Sequence, residues 1–230
     1  MSIKAINISK VYPLKTGITG MIKAVNNVSI DIYDGSKTVI FGPTGGGKTT
    51  LISILAGILK PDRGEIIYNG KLSSKLNPSK KAEAIIRKFG YIPQRAILIK
   101  DLNVIENILL PHIFLREKIG ELKNRALKLL EKLDLMDKIN SFPYQLSGGE
   151  IKKLLFIRAI VKEPTYIFAD EPISELDEDS ATKILEIMDE KNKNGTTLIV
   201  SSHRFIKFKG DVDVYKMSGG RIVEYKSEKL

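Results

Sequence analysis

The sequence predicts an α/β fold: a core with a mostly parallel sheet, an N-terminal antiparallel β-subdomain and an inserted α-helical subdomain. Three observations predict it. Apolar runs at 38–41, 166–169 and 196–201 read as short buried strands, and the first two lead into helical segments. In the N-terminal part, Val28, Ile30 and Ile32 alternate with Ser29 and Asp31, the period-2 pattern of a half-buried antiparallel strand. Between the two strand-rich parts, residues 96–162 show helical spacing and little strand signal. The predicted organisation is a single domain over 1–230, with an α/β core and β-subdomain at 1–95 and 163–230 and a helical subdomain at 96–162.

Taken in order, the first seventy residues read mostly as strands. Asp34-Gly35 is a turn before the strand at 38–41, and a helix follows from Thr49 to Ala56. Pro61-Asp62-Arg63-Gly64 turns into a strand at 65–68, and Asn69-Gly70 turns out of it. The chain is polar and then helical from 72 to 88, and a strand from Phe89 stops at Pro93. Val104, Ile105, Ile108 and Leu109 repeat at helical spacing, as do Leu122, Ala126, Leu129, Leu130 and Leu133. After the strand at 166–169, residues 179–191 read as a helix and 196–201 as a strand. Residues 212–217 and 221–225, joined by Ser218-Gly219-Gly220, read as a hairpin.

The chemistry begins with Gly42-Pro43-Thr44-Gly45-Gly46-Gly47-Lys48-Thr49-Thr50, which fits G-x-x-x-x-G-K-[ST] between a strand and a helix. A nucleoside triphosphate brings concentrated negative charge. The start of a helix offers free N–H groups and the positive end of its dipole. Glycines let the loop wrap those N–H groups around a phosphate. Lys48 adds a point charge for the β/γ-phosphates, and the Thr49 hydroxyl is a ligand for Mg²⁺. Asp170 closes a run of four apolar residues, at the strand end where α/β sheets bind ligands, and its carboxylate can hold Mg²⁺ through water. Glu171 follows and is free to orient or deprotonate an attacking water. Leu146-Ser147-Gly148-Gly149-Glu150 is a second anion-seeking helix start, with Ser147 as its cap.

Composition sets limits around this. The chain is 43% hydrophobic and 28% charged, the balance of a soluble globular protein. It has no apolar run of eighteen residues and no signal-peptide core at its start, which predicts a cytoplasmic protein. Cysteine is absent, which excludes disulfides and thiolate chemistry. A net charge of +10 admits nucleic acid or an anionic membrane face as a partner, but the lysines are dispersed, as on a solvated surface.

These residues together resemble the ATP-binding cassette (ABC) ATPases. Leu146 to Glu150 matches the family signature Leu-Ser-Gly-Gly-Gln, with Glu150 at the Gln position. Tyr12 stands where an aromatic side chain stacks on adenine; Gln94 matches the Q-loop; Ser174-Glu175-Leu176-Asp177 matches the D-loop; Ser201-Ser202-His203 matches the switch histidine. The resemblance runs from about residue 3 to 225. It implies binding of ATP and Mg²⁺ and transport-coupled ATP hydrolysis. It also implies an ATP-induced homodimer, or a pair with a related ATPase subunit, in which each phosphate loop faces the other chain's signature. Carried over residue by residue, Ser147 and Gly149, beside Gly148, would contact the γ-phosphate across the interface, and Asp177 would reach across the dimer. Glu171 would act on the water. His203 would contact the γ-phosphate, and Gln94 would sense Mg²⁺ and water.

The resemblance further implies integral membrane permease partners, a position on the inner face of the cell membrane, and no nucleic acid. Residues 102–111, Leu-Asn-Val-Ile-Glu-Asn-Ile-Leu-Leu-Pro, resemble most the lipoprotein-release and macrolide-exporter branch. Departures lie at Glu150, at Ile151-Lys152-Lys153, at Glu175 and at Arg204. None removes a catalytic group, and Glu150 is expected to point away from the phosphate. The alternative is a soluble ABC-type ATPase acting on nucleic acid or ribosomes, motivated by charge. A guanine-reading Asn-Lys-x-Asp is not completed at Asn192-Lys193-Asn194-Gly195. His112, with no motif around it, reads as a structural histidine.

Overall fold

The computed structural model describes residues 2–14, 20–113 and 118–228, with the side chains of 80 and 81 set aside. Two sheets organise it. The smaller is antiparallel, in the order β2-β1-β4-β5: β1 (Ser2–Pro13), β2 (Met21–Tyr33), β4 (Arg63–Tyr68) and β5 (Lys71–Leu72). The alternation in β2 is borne out, with Val28, Ile30 and Ile32 all at most 3% exposed. Register slips in β1 fall beside Asn7, which with Asn27 in β2 takes positive φ, a conformation asparagine tolerates.

The larger sheet runs β10-β9-β3-β8-β7-β6. Its strands are β3 (Lys37–Phe41), β6 (Phe89–Ile92), β7 (Tyr166–Asp170), β8 (Thr197–Ser202), β9 (Val212–Ser218) and β10 (Arg221–Glu228). Every pair is parallel except the β9–β10 hairpin. Successive residues of the central strands serve two cores. Val39, Ile167, Leu198 and Val200 pack with the helical part; Ile40, Phe168 and Ile199 pack with the small sheet and α1 (Lys48–Leu55). A sheet covered on both faces needs continuous apolar strands, which explains the unbroken runs read in the sequence.

The remaining helices are α2 (Pro78–Lys88), α3 (Val104–Ile113), α4 (Ile119–Lys132), α5 (Gly148–Ile160) and α6 (Glu178–Lys193). In α3 and α4 the periodic residues Val104, Ile108, Leu122, Ala126 and Leu130 are buried. Asn103 starts α3 with a reciprocal cap: its Oδ1 accepts from Glu106 N–H at 3.0 Å, while Glu106 Oε2 accepts from Asn103 N–H at 2.9 Å. Asn107, 1% exposed, straps the preceding loop by accepting from Ile99 N–H and donating to Ile99 O and Leu102 O. Residues 102–107 thereby fix the entry to the helical part, downstream of Gln94.

Parallel pairing aligns the strand ends. Asp170 lies opposite Ser201, Phe41 opposite Ser202, and Ile92 opposite Ala169. The loops leaving β3, β6, β7 and β8 therefore open on one side of the sheet, where ligands of such sheets bind.

Candidate functional site: a phosphate cleft and a separate helix start

The phosphate loop leaves β3 at Gly42 and enters α1 at Lys48. Main chain hems it in on two sides. A Cβ on Gly42 would lie 2.0 Å from Met217 O, and one on Gly47 (φ +97°) would lie 1.9 Å from Ala24 O. Neither position admits a side chain. Gly220 N–H donates to Gly46 O at 3.1 Å, and Gly42 N–H to Ser202 O at 3.1 Å. Strand β2, strand β8 and the β9–β10 hairpin thus hold the loop's backbone, which fixes where its remaining N–H groups point.

A cleft of about 490 Å³ lies over the loop, lined by Tyr12, Thr44, Gly45, Gly46, Gly47, Lys48, Thr49, Thr50, Gln94, Glu171 and His203, with Ala24, Ser174, Glu175 and Arg204. Lys48 is 6% exposed; its ammonium donates to Gly42 O at 2.8 Å and Pro43 O at 3.0 Å and stands 3.6 Å from Glu171 Oε1. His203 Nδ1 lies 2.8 Å from Glu171 Oε2. That carboxylate oxygen accepts, so Nδ1 carries the hydrogen. Glu171 sits at φ +51°, a left-handed conformation uncommon for a side-chain-bearing residue, and its N–H donates to Ser201 O at 3.2 Å. The strand turns sharply there. Asp170 and Glu171, adjacent in sequence, face different partners as a result.

Asp170 is fully buried, and its Oδ1 accepts from the Ser201 hydroxyl. Its Oδ2 is buried without a hydrogen-bond partner among the described residues. A buried carboxylate oxygen left over in this way suits a ligand to an ordered water or cation. No group of three or more His, Cys, Asp or Glu that could cage a metal occurs among the described residues. Mg²⁺ does not need one, since it keeps waters and takes phosphate oxygens with one or two protein ligands. The chain's donors fit that ion.

The signature residues lie elsewhere. Ser147 and Gly148 are exposed, and Ser147 caps α5. Its Oγ accepts from Glu150 N–H at 3.3 Å, while Glu150 Oε2 accepts from Ser147 N–H at 2.7 Å. Glu150 therefore turns back onto its own helix start, and that backbone donor holds its carboxyl below the ordinary value. Gly149 abuts Leu176 of the D-loop, where a Cβ would sit 3.5 Å from Cδ2. Asp177 is exposed and caps α6, accepting from Ser180 N–H at 2.8 Å and from the Ser180 hydroxyl at 2.7 Å. None of Ser147, Gly148, Gly149 or Asp177 lines the cleft.

For two residues the sequence gives the position but not the role. Ser201 holds Asp170 and the turn at Glu171, and its only signal was its place in a matched tripeptide. Lys152 is 5% exposed, in α5, with its ammonium 3.0 Å from Gln94 O and 3.4 Å from Glu171 O. Desolvation lowers its pKa, against the raising effect of Glu175, Asp170 and Glu171. A lysine beside a polar signature reads as solvated, and nothing local signals its burial.

Fold and cleft define a nucleoside-triphosphate-binding α/β protein of the phosphate-loop class. Comparison with known proteins narrows this. Residues 25–174 match the family described as ABC transporter. An uncharacterized ABC transporter ATP-binding protein of Methanocaldococcus jannaschii is 35% identical over 222 residues, 96% of this chain and 98% of the relative. The lipoprotein-releasing system ATP-binding protein LolD of Buchnera aphidicola (subspecies Schizaphis graminum) is 38% identical over 189 residues, 81% of this chain and 82% of LolD. Among solved structures, the ATP-binding cassette MJ0796, a dimer in a post-hydrolysis state bound to ADP and Pi, superposes with TM-score 0.87 at 29% identity, covering 99% of this chain and 98% of that one. The chain belongs to the ABC transporter family, as an ATP-binding and ATP-hydrolysing cassette. The predicted fold, with its antiparallel N-terminal sheet and mostly parallel main sheet, is borne out with it.

Proposed function

We propose that this chain is the energy-supplying subunit of a membrane-bound transporter, working as an ATP-clamped dimer. The observation that carries the reading is the convergence of Lys48, Glu171 and His203 beside the phosphate loop, next to an Asp170 oxygen left unpaired. ATP would lie along the loop with its phosphates on the N–H groups at the start of α1. Tyr12, on the cleft wall at the end of β1, would offer its ring to adenine. Thr49, Asp170 and Gln94 would hold Mg²⁺, which supplies charge neutralisation at the β- and γ-phosphate oxygens.

Lys48 is paired with its own loop and with Glu171. A γ-phosphate competes for that ammonium, and its withdrawal leaves Glu171 Oε1 to accept a hydrogen from water. The water oxygen bonds to the γ-phosphorus, the bond to the β–γ bridging oxygen breaks, and the water proton passes to Glu171. His203 holds Glu171 Oε2 and so sets the direction of Oε1. We read each cleft as one half of a shared site. Ser147, Gly148 and Gly149 of a second copy, or of a related ATPase subunit, would complete it, with Asp177 crossing the same interface.

Among the described residues no helix is long and apolar enough to cross a membrane. Permease partners would supply that part, with the cassette peripheral on the cytoplasmic face. We read the described elements as one cassette, its helical part at 96–162 rooted at Gln94 and facing the permease. LolD relatives at 38% and 32% identity support placement near that branch.

The test is Glu171→Gln. Phosphate release should fall by about 10²–10⁴-fold, the usual contribution of a general base. ATP should then hold the variant as a dimer in gel filtration. Wild-type release, or a monomer at saturating ATP, overturns the reading.

A further inference from the structure

Lys152 has no part in the chemistry above, yet it is among the most buried charged groups of the protein at 5% exposure. Among the described residues no carboxylate comes within ion-pair distance of its ammonium. Instead it donates to two main-chain carbonyls, Gln94 O at 3.0 Å and Glu171 O at 3.4 Å. Removing an ammonium from water costs several kcal/mol unless its hydrogens are met. Two carbonyls from segments far apart in sequence meet two of its three hydrogens here. One belongs to the loop after β6 and the other to the turn after β7.

The two carbonyls differ in how else they are held. Glu171 O also accepts from Ser174 N–H at 3.2 Å and from the Ser174 hydroxyl at 2.9 Å. For Gln94 O, Lys152 is the donor that the structure shows. The ammonium therefore anchors a lightly held loop to a firmly held turn. It does so through backbone atoms, leaving the side chains of Gln94 and Glu171 free for the cleft. Lys152 also lies in the helix that Ser147 caps, so the segment bearing the exposed signature and the anchor of this chain's own cleft are one rigid element.

We propose that Lys152 is a positioning residue that fixes the Gln94 loop relative to Glu171 and links both to α5. A pull on Ser147 and Gly149 from a second chain is thereby transmitted to the hydrolytic end of the same chain's cleft. The inference rests on the assignment of Gln94 and Glu171 in the proposed function.

The experiment compares Lys152→Met, which keeps length and loses the donors, with Lys152→Gln, which restores a neutral donor. ATP affinity, kcat and KM for hydrolysis, and hydrogen exchange are measured on the full chain. Lys152→Met should bind ATP within about twofold of wild type while kcat falls at least tenfold, with faster exchange confined to the 94–99 segment. Lys152→Gln should recover most of kcat. A kcat within twofold of wild type for Lys152→Met overturns the proposal. So does a loss of ATP binding and global exchange protection in proportion to kcat, which would mark a merely structural lysine. Failure of Lys152→Gln to recover kcat while folded also overturns it, because the donor would then not be the cause. Glu171→Gln, run alongside, separates the two readings: if it hydrolyses ATP normally the site assignment fails, and if it is dead while Lys152→Met is normal only the anchor fails.

Discussion

The two anion-seeking helix starts of this protein are built in opposite ways. At α1, main chain from β2, β8 and the β9–β10 hairpin crowds the phosphate loop, and a buried lysine and glutamate face each other at its rim. At α5, Ser147 and Gly148 stand exposed with a single reciprocal cap, and the nearest other loop is the neighbouring D-loop of the same chain. The first is a cleft walled by this chain's own backbone and side chains. The second is an exposed helix start where, among the described residues, the Ser147 N–H donates to Glu150 Oε2 and the Glu150 N–H to Ser147 Oγ. In the function proposed above, affinity for ATP would belong to the first region and closure of a dimer to the second.

The largest effect that should sharpen this contrast is Lys48→Ala. It removes a charged donor worth about 1.5–3 kcal/mol, so ATP affinity should fall about 10–100-fold in a fluorescence titration of the isolated chain. Unchanged affinity would break the contrast from the α1 side. Next is Ser147→Ala. Loss of the cap should cost about 1 kcal/mol of stability in thermal or denaturant melts. ATP affinity of the single chain should stay within about twofold of wild type, while ATP-driven dimerisation in a Glu171→Gln background is lost. If the single chain's affinity fell as it does for Lys48→Ala, the two starts would not be separate regions.

The smallest effect concerns the helical half that carries the signature. His112 in α3 is 1% exposed, and burial, aided by the nearby Lys162 charge, pulls its pKa from 6.5 to about 4. The unfolded chain takes up the proton first, so stability falls as pH drops from about 6.5 towards 4 and is unaffected above that window. Histidine to leucine at 112 should flatten the melting temperature across those pH values relative to wild type. An unchanged slope would show that the imidazole is not held neutral by its packing.

Much of this was legible in the sequence, for local reasons. Period-2 alternation at Val28, Ile30 and Ile32 and the apolar runs at 38–41 and 166–169 each declare a burial pattern within a few residues. The motif residues from Gly42 to Thr50 and Glu171 to His203 declare their chemistry by type and order. What stayed hidden depends on contacts distant along the chain. The burial of Lys152 needs Gln94 and Glu171 to converge, and the clamp on Gly42 and Gly47 needs Ala24 and Met217. Glu150, by contrast, is expected from the sequence to point away from the phosphate, and the structure turns it onto the backbone N–H of Ser147, three residues before it. The order of strands in the large sheet, with β3 between β9 and β8, has no signal in any one segment.

That clamp has a consequence for how the protein comes into being. The phosphate loop's backbone is crowded by Ala24 before it and Met217 long after it, and hydrogen-bonded by Ser202 and Gly220. Pairing of such separated segments is the slow part of folding. A nascent chain that has delivered the whole motif still lacks the hairpin that seats it, so the loop gains its final walls only once residues 217–220 have been made.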